Sequence, residues 1–151
     1  MHEQSSINQA AIGATLHCLA GCSIGEILGL IIGTVAAMDN LHTAIISTAL
    51  AFVFGFSLSM LPLIRRGVSL KAAASVVLAA DTLSITAMEI TDNSVMLLIP
   101  GAMDATLINP LFWISMTVSL FVAFWAAFPV NRYLLNRGKG HALIHNIGGH
   151  A

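Results

Sequence analysis

Four stretches of this chain are long and apolar with hardly a charge among them, and no other feature limits its possible folds as strongly. A helix needs about 20 mostly apolar residues to cross the hydrocarbon core of a bilayer. Residues 10–38, 42–64, 70–90 and 108–128 each meet that requirement. Charged residues make up 9% of the chain and hydrophobic residues 57%. A water-soluble domain carries about 25% charged residues, because water must solvate its surface. The apolar surface here has to face lipid instead. The expectation is an all-α integral membrane protein, one transmembrane domain of four helices in two hairpins, with lipid as its main partner.

Charge sets the expected orientation. Arg65, Arg66 and Lys71 lie between the second and third spans, and Arg132, Arg137 and Lys139 follow the fourth. Loops rich in Lys and Arg stay on the cytoplasmic side. Asp39, Glu89, Asp92 and Asp104 fall at the opposite end. An even number of spans then places both termini in the cytoplasm of a multi-pass plasma-membrane or inner-membrane protein, with residues 129–151 as a His-containing tail. The first ten residues lack the basic region of a signal peptide, so the first span reads as a retained helix. Its Gly21, Gly25, Gly29 and Gly33 recur every fourth residue, a small-residue stripe that lets helices approach closely. Four spans leave little room for a private pathway, so a homo-oligomer is expected.

The two hairpins also resemble each other. Met38-Asp39-Asn40 matches Thr91-Asp92-Asn93, and Pro62 with Arg65-Arg66-Gly67 matches Pro129 with Asn136-Arg137-Gly138. This pattern permits a parallel two-plus-two repeat. The second hairpin carries an additional apolar segment, residues 94–110, broken by Pro100-Gly101 and too short to cross twice. An interfacial or re-entrant segment is expected there.

Chemistry concentrates in two places. Cys18, Cys22 and Glu26 are spaced four apart on one helix face, with His17 beside them. Thiolate, imidazole and carboxylate form a ligand set suited to copper, zinc or iron rather than magnesium or calcium. Free cysteines are also common as small buried packing residues, and that alternative stays open. The second place is Asp81-Thr82-Leu83-Ser84 with Met88, Glu89 and Asp92, in which Asp81, Ser84 and Met88 share a face. An ionisable group within a span costs roughly 2.5–3.5 kcal/mol by insertion scales, so it tends to face the bundle interior and to be functional. Counted from the polar ends of their spans at about 1.5 Å per residue, Glu26 lies about 20 Å below Asp39 and Asp81 about 16 Å below Asp92. That count pairs Glu26 with Asp81 near the midplane and leaves Glu89 and Asp92 as an outer mouth. No Lys or Arg occurs within the spans to neutralise the pair. A proton or a bound cation is the remaining solution, unless hydroxyls and backbone groups hold the acids for packing alone. Met38, Met96 and Met103 lie toward the outer side, and His2, His141, His145 and His150 lie near the termini. All can bind soft metals, and all have ordinary roles as filler or tail.

No nucleophile elbow, phosphate-binding loop, zinc-protease helix or dinucleotide fingerprint is present, so an enzyme is not expected. Net charge is −1, which offers no electrostatic case for nucleic acid. Three motifs together resemble an uncharacterised bacterial family of four-helix membrane proteins, a domain of unknown function. They are His17-Cys18 with Gly21-Cys22 and Gly25-Glu26, then Ala80-Asp81-Thr82-Leu83-Ser84-Ile85 with Met88-Glu89 and Asp92-Asn93, then Pro129-Val130-Asn131 with Arg137-Gly138-Lys139-Gly140-His141-Ala142. The resemblance covers nearly the whole chain. It implies an association with copper-handling proteins and supplies no established activity.

The resulting expectation is binding and transport of a transition metal, copper first and zinc or iron next. His17, Cys18, Cys22, Glu26, Asp81, Met88 and Glu89 would be ligands, and Glu26, Asp81, Thr82, Ser84 and Asp92 would line the ion or proton pathway. A proton-coupled carrier or channel built on Glu26 and Asp81 is the first alternative. A membrane subunit that helps assemble a metalloenzyme is the second.

Overall fold

Three of the four helices begin where a short polar side chain can hold free backbone N–H groups. Asp39, Ser69 and Asn109 cap the second, third and fourth helices, accepting from the backbone N–H groups of His42, Ala72 and Leu111. Pro110 follows Asn109 directly, at a position where no backbone N–H is needed. The computed structural model describes residues 2–137. Its elements are α1 (His2–Val35), α2 (Asn40–Arg65), α3 (Leu70–Leu98) and α4 (Pro110–Asn136). No strand occurs among the described residues.

All four helices are long and apolar enough to cross a membrane. Their outer surfaces carry large exposed side chains such as Ile32, Val53, Leu83, Ile90, Phe121 and Trp125. Water would penalise that surface, whereas lipid accepts it, so the chain is a multi-pass membrane protein. The bundle has a loop end, with the α1–α2 turn and residues 99–109, and a terminal end, with the start of α1, the α2–α3 turn and the end of α4.

Small residues set the distance between α1 and α2. A Cβ added at Gly25 would lie 2.5 Å from the Ala51 Cα, and one at Gly29 would lie 2.5 Å from the Ser47 Cα. Gly21 faces Gly55 and Gly33 faces Thr43 in the same way. The glycine stripe of α1 thus meets a second stripe on α2, Thr43, Ser47, Ala51, Gly55 and Ser59. α4 carries a third, Ser115, Ser119, Ala123, Ala127 and Asn131, all buried. Asn131 crosses to α1, where its side-chain N–H donates to Thr15 Oγ1 at 2.9 Å. That bond explains a polar residue in the Pro129-Val130-Asn131 motif.

α3 is longer than expected. It runs through Thr91-Asp92-Asn93 to Leu98 instead of ending at Ile90. Asp92 is therefore inside a helix, whereas Asp39 is an N-cap outside one, so this part of the proposed repeat does not correspond. The other part does: Arg66 and Arg137 end α2 and α4 with the same backbone conformation, φ −87° and ψ 5°. The expected tail also begins later, because α4 continues to Asn136. Lys139, His141, His145 and His150 lie outside the described residues, as does the side chain of His2.

Residues 99–109 fold across the loop end. Ala105, Phe112 and Met116 form a small core there, with Ile27, Leu30 and Met96 against it. Asn40 donates to Asp104 Oδ1 at 2.7 Å, and the Trp113 indole N–H donates to the Leu107 carbonyl at 2.9 Å. The segment closes over the bundle between these two anchors.

Candidate functional site: a carboxyl trio below a cavity

α1 has two working faces. Its glycines meet α2, and Cys18, Cys22 and Glu26 turn toward α3. α1 and α3 both run from the terminal end to the loop end, so their polar residues pair level by level.

At the lowest level Cys18 lies beside Ser59, Asp81 and Ser84. Ser59 and the His17 imidazole are the polar groups that act on the Asp81 carboxyl. Asp81 is buried, and its Oδ2 has no hydrogen-bond partner; the same holds for Ser84 Oγ. One level up, the Cys22 thiol donates to the Met88 sulfur at 4.0 Å, with the Glu89 carboxyl also against it. At the top level the Glu26 carboxyl lies beside those of Asp92 and Glu89. Thr48 of α2 donates to Glu89 Oε2 at 2.8 Å, and Ser119 of α4 donates to Asp92 Oδ1. Glu26 Oε1 and Glu89 Oε1 remain without a partner.

These carboxyls form the floor of a cavity of ≈ 210 Å³ at the loop end. Met96, Phe112 and the 102–106 segment contribute to its walls, and Asn40 and Asp104 lie at its rim. Among the described residues, no Lys, Arg or His lines it. Asp39, at the surface beyond the helices, is held below its ordinary 3.8 because the His42 backbone N–H and the His42 ring both hydrogen-bond its carboxylate.

A family model described as a domain of unknown function, DUF4396, matches residues 8–140. The chain belongs to that family. No curated protein and no solved structure matches it. Every residue of the three-level arrangement lies within the DUF4396 span.

The structure rearranges the expected site of this DUF4396 chain. Glu26 pairs with Asp92 and Glu89, not with Asp81, which sits two levels lower beside Cys18. Glu89 and Asp92 are 5% and 4% exposed, so they are the floor of a cavity and not a solvated mouth. Thr82 is exposed and spends its hydroxyl on the Leu78 carbonyl of its own helix, so it is not on the pathway. His17 is also exposed; its Nδ1 donates to the Gly13 carbonyl at 2.7 Å, away from Cys22 and Glu26. Asp81, Ser84 and Met88 do share a buried face. Cys18 and Cys22 sit in the central apolar cluster with Ala51, Ile85 and Met88. Among the described residues, no three His, Cys, Asp or Glu side chains are grouped so as to hold a metal ion. Thr48, Ser59 and Ser119 were not expected in the site. Their positions in the small-residue stripes of α2 and α4 were the available signal for Ser59 and Ser119, and Thr48 offered none.

Proposed function

We propose that this protein moves protons across the membrane, as a proton-coupled carrier or a proton channel, with Glu26, Glu89 and Asp92 as its loading site. The observation that carries the reading is the carboxyl trio beneath a cavity that no basic residue among those described lines. Carboxyls set side by side without a basic partner can be neutralised by protons. A trio with Glu89 and Asp92 buried and Glu26 half-buried, set beneath a cavity, can load and release protons. Below it, the Cys22 thiol, Ser84, Cys18, Ser59 and Asp81 continue a file of polar groups toward exposed His17. Arg65, Arg66, Lys71, Arg132 and Arg137 at the terminal end support placing that end in the cytoplasm.

Metal-free vesicles containing the purified protein test this reading. Under an imposed membrane potential, an internal pH dye should report proton flux above that of empty vesicles, and Glu26→Gln should abolish it. Flux equal to that of empty vesicles in the wild type refutes the reading.

Transition-metal transport, with copper favoured, is the second reading. The Cys22–Met88 sulfur pair directly beneath the trio supports it, because thiolate and thioether are soft ligands. Elemental analysis of gently purified protein, with and without the double substitution Cys18→Ser and Cys22→Ser, tests it. A stoichiometric metal lost in the double variant favours this reading. An unchanged metal content rules out the thiols as ligands.

A further inference from the structure

The terminal end of the bundle carries positive charge that the described fold does not neutralise. Arg65, Arg66, Lys71, Arg132 and Arg137 are all exposed there. Among the described residues none of them forms an ion pair; the pair that does form, His42 with Asp39, is at the loop end. Of the acids whose side chains are described, Asp81 is inside the bundle and the others lie toward the loop end.

Three of these cations stand around one turn. α2 ends at Arg65 and α3 begins at Leu70. The turn between them is firmly closed. Gly67 takes a φ of 86°, the Val68 N–H donates to the Leu63 carbonyl at 3.1 Å, and Val68 packs against the cluster of Leu63, Ala73 and Val77. This is the glycine-ended helix terminus in which an apolar contact accompanies the backbone bond. Among the described residues, a Cβ added at Gly67 would meet nothing within 4 Å, so the space over the turn is open.

The surface below the charges selects the partner. Leu61 lies one helical turn below Arg65 on the same face, and Leu78 lies two turns below Lys71. They are 43% and 51% exposed. In a membrane-spanning chain this puts the three cations at headgroup level and the leucines at acyl-chain level. A phospholipid presents a phosphate and hydrocarbon chains in that same order, whereas a free phosphate would meet the charges alone. Guanidinium groups donate paired N–H bonds to phosphate oxygens, and basic clusters beside a span attract anionic lipid.

We propose that the α2–α3 turn is a binding site for the headgroup of an anionic phospholipid, held by Arg65, Arg66 and Lys71. This site is independent of the proton reading above. The end of α4 serves as the comparison within the same molecule. Its Arg137 guanidinium lies over the Tyr133 ring at 5.2 Å, and Arg132 is more than one helical turn away, so three cations do not surround one turn there.

Native mass spectrometry of the full chain, released from micelles holding phosphatidylglycerol and phosphatidylcholine with the same acyl chains, tests the proposal. Both lipids have the phosphate, but choline adds a positive charge that the three cations repel. Phosphatidylglycerol should be retained with a preference of about tenfold or more. Lys71→Gln should weaken its binding about fivefold, the effect of one basic side chain near an anionic surface, and Arg65→Gln with Lys71→Gln should remove the preference. Lys71→Arg, which keeps the charge, should bind like the wild type and so separates loss of recognition from loss of fold. Arg132→Gln with Arg137→Gln should leave the preference in place. An equal loss from that pair overturns the proposal, because diffuse charge and not the turn would then hold the lipid. Equal retention of the two lipids by the wild type also overturns it. Inorganic phosphate at millimolar concentration should not displace the lipid, and displacement would make this a phosphate site and not a lipid site.

Discussion

Two glycine-to-alanine substitutions on one helix should shift stability in opposite directions. At Gly25 an added Cβ would lie 2.5 Å from the Ala51 Cα and 2.7 Å from the Leu50 carbonyl carbon. Carbon atoms in contact prefer about 3.5–4.0 Å, so α1 and α2 must separate by about 1 Å. A gap of ~0.5–1 Å forfeits a quarter to a half of each dispersion contact it touches, and overpacking of this kind costs about 1–3 kcal/mol. The better helix propensity of alanine returns roughly 1 kcal/mol. Gly25→Ala should therefore destabilise the bundle by up to about 2 kcal/mol. At Gly13 an added Cβ has nothing within 4 Å, so only the propensity gain remains. Gly13→Ala should be neutral or stabilising by up to about 1 kcal/mol. Both values are measurable by SDS-driven equilibrium unfolding in mixed micelles. Ala51→Gly should not rescue Gly25→Ala, because the obstruction is backbone. Thr43→Ala should partly rescue Gly33→Ala, where the nearest atoms belong to the Thr43 side chain. If Gly13→Ala and Gly25→Ala shift stability equally, the close approach of α1 and α2 is not what these glycines provide.

Three further outcomes follow from the structure. Ala37 closes the α1–α2 turn with a φ of 52°, a conformation that costs a non-glycine residue roughly 1–2 kcal/mol, so Ala37→Gly should raise the unfolding midpoint in the same assay. The Asp39 carboxyl should titrate below its ordinary 3.8 when followed by carbon NMR, and His42→Ala should move it back toward that value. Because the folded carboxyl is depressed, its contribution to stability is present above its unfolded value and is lost as pH falls through the folded one. Asn131→Ala should cost about 0.5–1.7 kcal/mol in SDS unfolding, the range for hydrogen bonds between membrane helices, and a Thr15→Val background should remove most of that cost.

Much of this architecture was legible because hydropathy and charge act over whole segments. Four apolar runs give four helices, and four-residue glycine spacing gives the α1–α2 contact. The depth of individual acids was not legible. Thr91-Asp92-Asn93 reads as the exit of a helix, yet α3 passes through it because Asp92 is met by Ser119 of α4 and Asn93 by the carbonyl of Glu89. Partners on another helix leave no trace in local hydropathy. The displaced boundary then misplaced every depth counted from it, which joined Glu26 to Asp81 instead of to Asp92. Thr82 is a different case. Adjacent residues on a helix do not share a face, so its exclusion from the Asp81, Ser84 and Met88 face could have been read from spacing alone.

The central claim is that Glu26, Glu89 and Asp92 act as one protonatable unit while Asp81 belongs to a separate step. Proton flux in metal-free vesicles for Glu26→Gln, Asp92→Asn and the double variant tests that claim most directly. Groups that work as a unit are not additive, so each single substitution should reduce flux as far as the double does. Single losses that multiply in the double variant, or single variants that both conduct like the wild type, would contradict it.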